Sequence, residues 1–425
     1  METSAARAAP PGPSPDSPPD PAPDMQADAP AEGCEESTQW TSVFLLTLAM
    51  GVCGLGLGFS YPLYSLVLER QGADDFVIGL SGAMTGFGLL LSNLVVPALL
   101  RRFGPLPVLA GGFAGAAACL TLSPYSDAEN LWYLLRLLLG CCMNIAFVVT
   151  EVWLNTASAE AQRGRIIGFF TAVMAAGFAL GPLLILLVGD EGALPFLLCA
   201  GLVLLGALTV LPLGRDTGRG ARGTSAGAFG GLDLWAVLGF FRLAPLLAAL
   251  VLVYSLFDGT ALVILPIYFL ESGFTAEESS AALACLLIGM VLLQMPIGWL
   301  LDRFPRRRVI CGCTLVSALC CLALPATLGT VWLLGALLLL LGGLAVGLYT
   351  GAITLLGEGY AGASLVAGTT CLAVVYGLGS ALGPLASGAA LDRFGPDAVP
   401  GLLAGLFFLT ALASLRRARP APQPL

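Results

Sequence analysis

A seven-residue segment occurs twice in this sequence. GFALGPL at Gly177–Leu183 returns as GSALGPL at Gly379–Leu385, about two hundred residues further along the chain. LLRRFGP at Leu99–Pro105 and LLDRFPR at Leu300–Arg306 repeat nearly the same separation. Both pairs lie among long apolar runs. The sequence therefore predicts two copies of one apolar unit, an arrangement typical of membrane proteins whose halves enclose a central site.

The composition indicates a membrane protein. Hydrophobic residues make up 57% of the chain and charged residues 11%, with a mean hydropathy of +0.89, which is far from the composition of soluble domains. Since a span needs roughly 20 apolar residues, we expect about twelve spans. They are Thr41–Leu66, Phe76–Leu100, Leu106–Pro124, Leu131–Asn155, Arg165–Gly189, Ala193–Leu213, Leu243–Leu270, Ser279–Leu301, Val309–Leu328, Val331–Leu356, Gly368–Leu391 and Ala398–Leu415. They should be helices, because these runs do not alternate like strands of a membrane barrel.

Arginines test the number of spans independently. They concentrate in alternate loops, as the positive-inside rule requires of cytoplasmic loops. These arginines are Arg101, Arg102, Arg163, Arg165, Arg215, Arg219, Arg222, Arg242, Arg303, Arg306, Arg307 and Arg308. The opposite loops carry only Arg70 and Arg393. We therefore expect a multi-pass protein, of the bacterial inner (plasma) membrane, with both termini cytoplasmic.

The spans divide the chain into domains. Residues 1–40 hold eight acidic residues against Arg7 alone and are rich in Pro and Ala, so this cytoplasmic tail is predicted to be disordered. We expect an N-terminal six-helix bundle at 41–213 and a C-terminal one at 243–415. A cytoplasmic linker at 214–242 joins them, and 416–425 forms a short cytoplasmic tail. The predicted fold class is an all-α membrane protein of twelve helices in two pseudo-symmetric bundles.

The absence of two residue types excludes much chemistry. The chain contains no His and no Lys, so a Ser-His-Asp triad, a Schiff-base lysine, an HExxH zinc site and a Walker-type phosphate loop are all impossible. Its cysteines lie mostly in apolar spans without CxxC spacing, where small packing residues are the simpler interpretation than metal ligands. We expect no enzyme, no cofactor, no metal site and no binding of nucleic acid.

A basic loop suggests a family. GWLLDRFPRRR at Gly298–Arg308 resembles the loop signature GxLaDRxGRR of the major facilitator superfamily. The resemblance implies ion pairs that steady one state of a gate, formed by an acid and arginines. These residues are Asp302, Arg303, Arg306 and Arg307. A second interpretation is that the basic loop only sets topology.

The first-half copy of this loop departs from the signature. In PALLRRFGP, Arg101 stands where the acid is expected, and Arg102 follows it. Another acid must compensate if a gate exists. Glu151, near the same end of the fourth span, is the candidate.

The repeated segment resembles the superfamily's antiporter signature on the fifth span. Glycines four residues apart let helices approach closely, and a proline bends a helix. The residues concerned are Gly177, Gly181 and Pro182, with Gly379, Gly383 and Pro384 in the second copy. The pattern predicts a hinge or a tight seam between the halves, although helix packing alone also favours such glycines.

The fourth span has one polar face. Arg136, Gly140, Asn144, Glu151 and Asn155 fall within an arc of about 100°, and this face should look into a cavity or protein because charges facing lipid are costly. RLLLG at Arg136–Gly140 resembles the family's RxxxG motif, which implies a role in proton transfer or substrate binding. Snorkelling of Arg136 to the interface is the alternative.

Asp258 is the one carboxylate well inside a predicted span, with Tyr254 one turn before it. An ionised carboxylate is costly at mid-membrane, which suits a group that binds and releases a proton. Two alternatives are a static acid bonded to a neighbouring hydroxyl and a pair with Arg136, if both helices line the cavity. The stripe Ser81, Thr85 and Ser92 on the second span is interpreted as helix packing, with a role as ligands the alternative.

Further segments resemble the YcaD-like branch of the superfamily. They are TEVWLN at Thr150–Asn155, RGR at Arg163–Arg165, GLYTGA at Gly347–Ala352 and YGLGSALGP at Tyr376–Pro384. The resemblance implies a secondary transporter that moves a small organic solute by alternating access, with proton-coupled efflux as the expected mode. Its partners would be the solute, protons or another cation, and the lipid bilayer. A non-transporting receptor or a lipid scramblase on the same scaffold is the alternative.

Overall fold

The structure is a computed structural model that describes residues 38–126, 129–213, 244–360 and 362–415. Nearly all of the predicted N-terminal tail, the whole linker 214–242 and the C-terminal tail 416–425 lie outside these residues. Twelve principal helices occur in the described ranges. They are α1 (Trp40–Arg70), α2 (Asp75–Phe103), α3 (Pro105–Leu122), α4 (Glu129–Ala157), α5 (Glu160–Leu180), α6 (Leu194–Val210), α7 (Pro245–Val263), α8 (Ala276–Arg303), α9 (Arg306–Thr327), α10 (Val331–Gly359), α11 (Gly362–Phe394) and α12 (Ala398–Leu415).

Each predicted span corresponds to one of these helices. Within the described residues, eleven helices are long and apolar enough to cross a membrane, and the twelfth, α6, has 17 residues. Two short helices, Ile185–Val188 and Leu265–Glu271, follow α5 and α7. The predicted all-α architecture is confirmed.

Local sequence explains where helices begin and end. Gly104 separates α2 from α3 with φ of 81°, a conformation that favours glycine, and Pro105 occupies the first turn of α3, where its missing N–H costs nothing. At the start of α8, the Thr275 hydroxyl accepts a bond from the Glu278 N–H at 3.2 Å, and the Glu278 carboxylate accepts one from the Thr275 N–H at 2.9 Å. This capping box satisfies donors that the helix leaves open.

The helix contacts repeat between the two halves. In the first half α1 packs on α5, α2 on α4, and α3 on α6. In the second half α7 packs on α11, α8 on α10, and α9 on α12. Adding six to each helix number converts the first set into the second. The tandem repeat in the sequence is thus a repeat of helix packing, with two pseudo-symmetric halves.

The repeated glycines pack against helices of their own half. The prediction that they form a seam between the halves is therefore wrong. Gly177 and Gly181 press against the backbone of α1, near Gly51 and Gly58. In the second copy, Gly379 and Gly383 press against α7 at Ser255 and Leu256. The physical reason is that α1 with α5, and α7 with α11, are equivalent pairs of one bundle. Glycine spacing predicts close approach but not the partner helix.

The two prolines of the repeat act differently. At Pro182 the α-helix gives way to a 3₁₀ turn over Gly181–Leu184, followed by the short helix Ile185–Val188. Pro384 instead lies inside the continuous helix α11 and contacts α2 of the other half at Gly79. Pro384 therefore lies at the boundary between the halves, whereas Gly383 beside it packs within its own half.

A different set of glycines joins the halves. On α2, Gly79 packs against Pro384 and Gly388 of α11, Gly82 packs against Val263 of α7, and Gly86 packs against Ala381 of α11. A β-carbon added at Gly86 would lie 2.6 Å from the Ala381 nitrogen. The turn after α5 also contacts α8 of the other half.

These contacts lie toward one end of the helices. By chain order, α2 and α8 both end where Arg101, Arg102 and Arg303 are found, which we call the arginine-rich end. The contacts at Gly79 and Gly82 lie near the start of α2, toward the opposite end. There the Arg70 guanidinium donates two bonds to the Asp190 carboxylate, at 2.8 and 2.7 Å, and ties α1 to the turn before α6. The glycine contacts of α2 therefore hold the halves together at the opposite end, whereas the Arg70–Asp190 bonds lie within the first half.

Gly86→Val should loosen this contact. The added carbons meet the backbone of α11, which cannot yield without a shift, and overpacking of this kind costs about 1–3 kcal/mol. We expect a lower thermal unfolding temperature in detergent. Gly111→Val on α3 is the matched control, because no atom lies within 4 Å of its added β-carbon. Equal unfolding temperatures for the two variants would contradict the close packing of α2 on α11.

Candidate functional site

A cavity of about 1500 Å³ lies between the two halves. Its walls come from α1, α2, α4 and α5 on one side and from α7, α8, α10 and α11 on the other. The lining residues include Leu365, near the arginine-rich end of α11, and Ile353 of α10. Toward the opposite end the lining stops at Tyr61 on α1 and at Thr85 on α2. The cavity therefore extends toward the arginine-rich end and is closed at the other end by the contacts of α2.

The polar face of α4 forms part of this wall. Arg136, Gly140, Asn144 and Glu151 all line the cavity. Asn155, one turn further on, donates its amide to the Glu151 carbonyl at 2.9 Å. The expectation that this face looks away from lipid agrees with the structure, because its two charged side chains border the cavity.

Arg136 is buried and does not snorkel to an interface, since its side chain is 1% exposed. Its Nε donates to the Ser81 carbonyl at 3.4 Å. The guanidinium carbon lies 4.4 Å from the ring centre of Tyr64 and 5.5 Å from that of Tyr61. A cation over aromatic faces gains electrostatic stabilisation from the rings.

The Tyr64 ring, part of the aromatic platform that Tyr61 and Tyr64 form under Arg136, is held by contacts of its own. The Tyr64 hydroxyl bonds to the Ser123 hydroxyl, and its ring meets Trp132 and Phe196 edge-on, at centroid distances of 5.4 and 5.2 Å. These contacts hold the ring in one orientation. The guanidinium is thereby held at the cavity wall near the closed end.

Asp258 lies on the opposite wall, 8% exposed. Its carboxylate accepts a hydrogen bond from the Tyr376 hydroxyl at 2.8 Å. Among the described residues Asp258 and Arg136 form no ion pair, although both line the cavity. The tyrosine that bonds Asp258 is on α11, whereas Tyr254, the tyrosine expected from the sequence, is one turn away on α7.

Tyr376 belongs to a cluster of three tyrosine rings. The ring centres of Tyr254 and Tyr349 are 5.5 Å apart, those of Tyr254 and Tyr376 are 6.2 Å apart, and those of Tyr349 and Tyr376 are 6.1 Å apart. All three line the cavity. We call this group the tyrosine wall. Tyr254 was found from its helical spacing to Asp258, but no local signal relates the other two to that carboxylate.

Asn144 holds two helices together. Its amide nitrogen lies 2.8 Å from the Ser92 hydroxyl, 2.9 Å from the Asn93 side-chain oxygen and 3.3 Å from the Leu89 carbonyl. Since an amide has two N–H donors, the three acceptors share them. Asn144 therefore links α4 to α2 at the cavity wall, and Ser92 takes part in packing, as the sequence predicts.

The predicted gating residues lie at the arginine-rich end. Arg306 forms an ion pair with Glu358 of α10, and not with Asp302. Arg303 lies over the Trp299 ring at 5.7 Å, and Asp302 is exposed. Arg307 belongs to the same first turn of α9.

On the first-half side, Arg101 and Arg102 are exposed at the end of α2. Glu151 lines the cavity and, within the described part of the chain, makes no ion pair with either arginine. These three residues lie on α2 and α4 of the same half, so a pair between them would not cross the boundary between the halves.

A family model now decides the identity of the fold. The model of the Major Facilitator Superfamily matches residues 46–275 and 247–425. The chain belongs to this superfamily. It is a multi-pass membrane transporter of that family, with the superfamily fold.

Named relatives agree with this assignment. The uncharacterized MFS-type transporter YfkF of Bacillus subtilis is 26% identical over 356 residues, which cover 83% of this chain and 89% of YfkF. The uncharacterized MFS-type transporter YcaD of Shigella flexneri is 25% identical over 392 residues, which cover 92% of this chain and 99% of YcaD. The predicted resemblance to the YcaD-like branch is confirmed.

Solved structures show the same fold. The nucleoside transporter NupG superposes with a TM-score of 0.72 at 16% sequence identity, covering 88% of this chain and 98% of NupG. A variant of NupG gives 0.73 at 17% identity. At this identity the likeness concerns the arrangement of helices.

Asn144→Leu should weaken the link between α4 and α2. The change leaves a similar volume but removes the hydrogen bonds to α2, and a hydrogen bond is worth about 0.5–1.5 kcal/mol. We expect a lower thermal unfolding temperature in detergent. Thr171→Val is the control, because the hydroxyl of this exposed cavity residue bonds the Ile167 carbonyl of its own helix, at 2.9 Å, and links no second helix in the described ranges. An Asn144→Leu variant as stable as this control would show that the bonds do not link the helices.

Proposed function

We propose that this superfamily member is a secondary active transporter that moves a small organic solute by alternating access, with proton-coupled efflux as its mode. We place it in the bacterial inner membrane with both termini, and hence the arginine-rich end, in the cytoplasm. The observation that supports this most is the cavity between two pseudo-symmetric halves, closed at one end and bordered by Arg136 on one wall and Asp258 on the other.

The packing favours motion of the halves as units. Inside each half, glycines bring α1 against α5 and α7 against α11 at backbone distance. Between the halves, the glycine contacts of α2 with α7 and α11 lie toward the end opposite the arginines. A rocking motion that opened this contact and closed the arginine-rich end would expose the same cavity to the other side.

Asp258 is proposed to carry the coupling proton. Its carboxylate lies on the cavity wall within a membrane helix and has a phenol, not a cation, as its bonded neighbour. An ionised carboxylate in such surroundings is costly, and binding a proton removes that cost. Tyr254 and Asn144, on opposite walls, complete the proposed coupling and substrate region with Arg136.

The arginine-rich loops are proposed to form the cytoplasmic gate in the outward-open state. When the cavity closes at that end, Asp302, Arg303, Arg306 and Arg307 of one half approach the other half, whose charged groups there include Glu151, Arg101 and Arg102. Before the cavity closes at that end, the ion pair with Glu358 would keep Arg306 within its own half.

The proposal is tested with Asp258→Asn in sealed proteoliposomes. A solute is first chosen by thermal-shift screening of the purified protein against metabolites and drugs, and its flux is then driven by a pH gradient. We expect gradient-driven accumulation to fall to the level of empty liposomes, because a side-chain amide does not bind and release a proton near neutral pH. Membrane insertion and protein yield should stay normal.

Glu277→Gln, the same chemical change at an exposed residue in the first turn of α8, is the control and should transport normally. Unchanged proton-driven flux in Asp258→Asn would remove Asp258 from the mechanism. If no solute is accumulated by the unaltered protein under any gradient, the receptor or scramblase alternative gains support instead.

A further inference from the structure

The guanidinium of Arg136 is under-bonded where it meets the cavity. A guanidinium has five N–H donors, and in the described part of the chain only Nε has an acceptor, the Ser81 carbonyl at 3.4 Å. The Nη1 and Nη2 groups have no protein acceptor within hydrogen-bonding distance there. The Tyr64 and Tyr61 rings stabilise the cation through their aromatic faces.

A second unsatisfied group borders the same place. Thr85 lines the cavity, is 7% exposed, and its hydroxyl has no hydrogen-bond partner. It lies one turn along α2 from Ser81, the residue that bonds Arg136. A β-carbon added at Gly140, one turn along α4 from Arg136, would lie 3.0 Å from the Thr85 α-carbon, so α4 and α2 pack closely there. Arg136 and Thr85 therefore lie at successive contacts of the same two helices.

No acid of the described residues forms an ion pair with Arg136. Asp258 lies on the other wall and is bonded by Tyr376. Glu151 is fifteen residues from Arg136 on the same helix, about 22 Å along its axis. A buried charge is costly unless it is paired, and a buried hydroxyl is costly unless it is bonded. An oxyanion that reached both Arg136 and Thr85 would satisfy both groups.

The facing wall has different chemistry. The rings of Tyr254, Tyr349 and Tyr376 present aromatic surface to the cavity. An apolar or aromatic body gains contact area against such rings. The two walls together fit a solute with one charged end and one apolar end.

We propose that the cavity binds amphiphilic organic anions, with an oxyanion, most simply a carboxylate, held by Arg136 and Thr85 and an apolar body against the tyrosine wall. This deepens the proposed transport function and rests on it. It assigns Arg136 to the solute and leaves Asp258 to the proton.

Three probes with one phenylbutyl skeleton test the charge preference: phenylbutyrate, phenylbutanamide and phenylbutylamine. Their binding to the purified full-length protein in detergent is measured by thermal shift and by titration, without any gradient. We expect phenylbutyrate to bind about tenfold or more tightly than the amide, since a hydrogen bond to a charged group is worth more than one to a neutral group. The amine should bind more weakly than the acid.

Variants locate the preference. Arg136→Gln should abolish the preference of acid over amide, and Thr85→Val, which keeps the shape of the side chain, should reduce it about threefold to tenfold. Thr47→Val is the matched control, because the Thr47 hydroxyl is also buried and unbonded but does not line the cavity. It should leave the preference unchanged. If Arg136→Gln does not fold, the comparison of Thr85→Val with Thr47→Val decides.

Equal binding of the acid and the amide, including no binding of either, would overturn the proposal, as would a preference for the amine or an equal effect of Thr85→Val and Thr47→Val. The transport function is judged separately, from gradient-driven flux in proteoliposomes. An acid preference without flux would support the anion site and reject transport. Flux of neutral or cationic solutes alone would support transport and reject the anion site.

Discussion

The backbone of a chain in lipid has no water to bond, and this constraint shapes everything else in the protein. Helices satisfy the peptide groups internally, so tertiary structure depends on how helix surfaces fit. Glycines allow backbones to touch at α1 with α5 and at α7 with α11. Polar side chains cannot face lipid without cost, which confines Arg136 and Asp258 to the space between the halves.

Close packing within each half differs from the packing between the halves. Within each half the helix pairs are joined along glycine seams, whereas the contacts of α2 with α7 and α11 hold the halves together toward one end. At the arginine-rich end the cavity separates them. A structure with firm units and a partial boundary can change state at that boundary while each unit keeps its packing.

The cavity keeps two opposite charges apart. Arg136 stands on the aromatic platform of Tyr61 and Tyr64, and Asp258 is bonded by Tyr376 on the facing wall. If they formed an ion pair, both would be neutralised and neither would need a solute or a proton. Their separation costs stability, which is common at functional sites, and it leaves each group ready for a different ligand.

The sequence by itself determined the spans, the tandem repeat and the polar face of α4, because periodicity along one helix is a local property. It also placed Asp258 inside a span. Tertiary structure decided the partners: Tyr376 is 118 residues from Asp258, Arg306 pairs with Glu358 rather than Asp302, and the glycine seams join helices of one half. A helical pattern shows which face of a helix carries polar or small residues. Which helix packs against that face depends on the packing of all twelve helices.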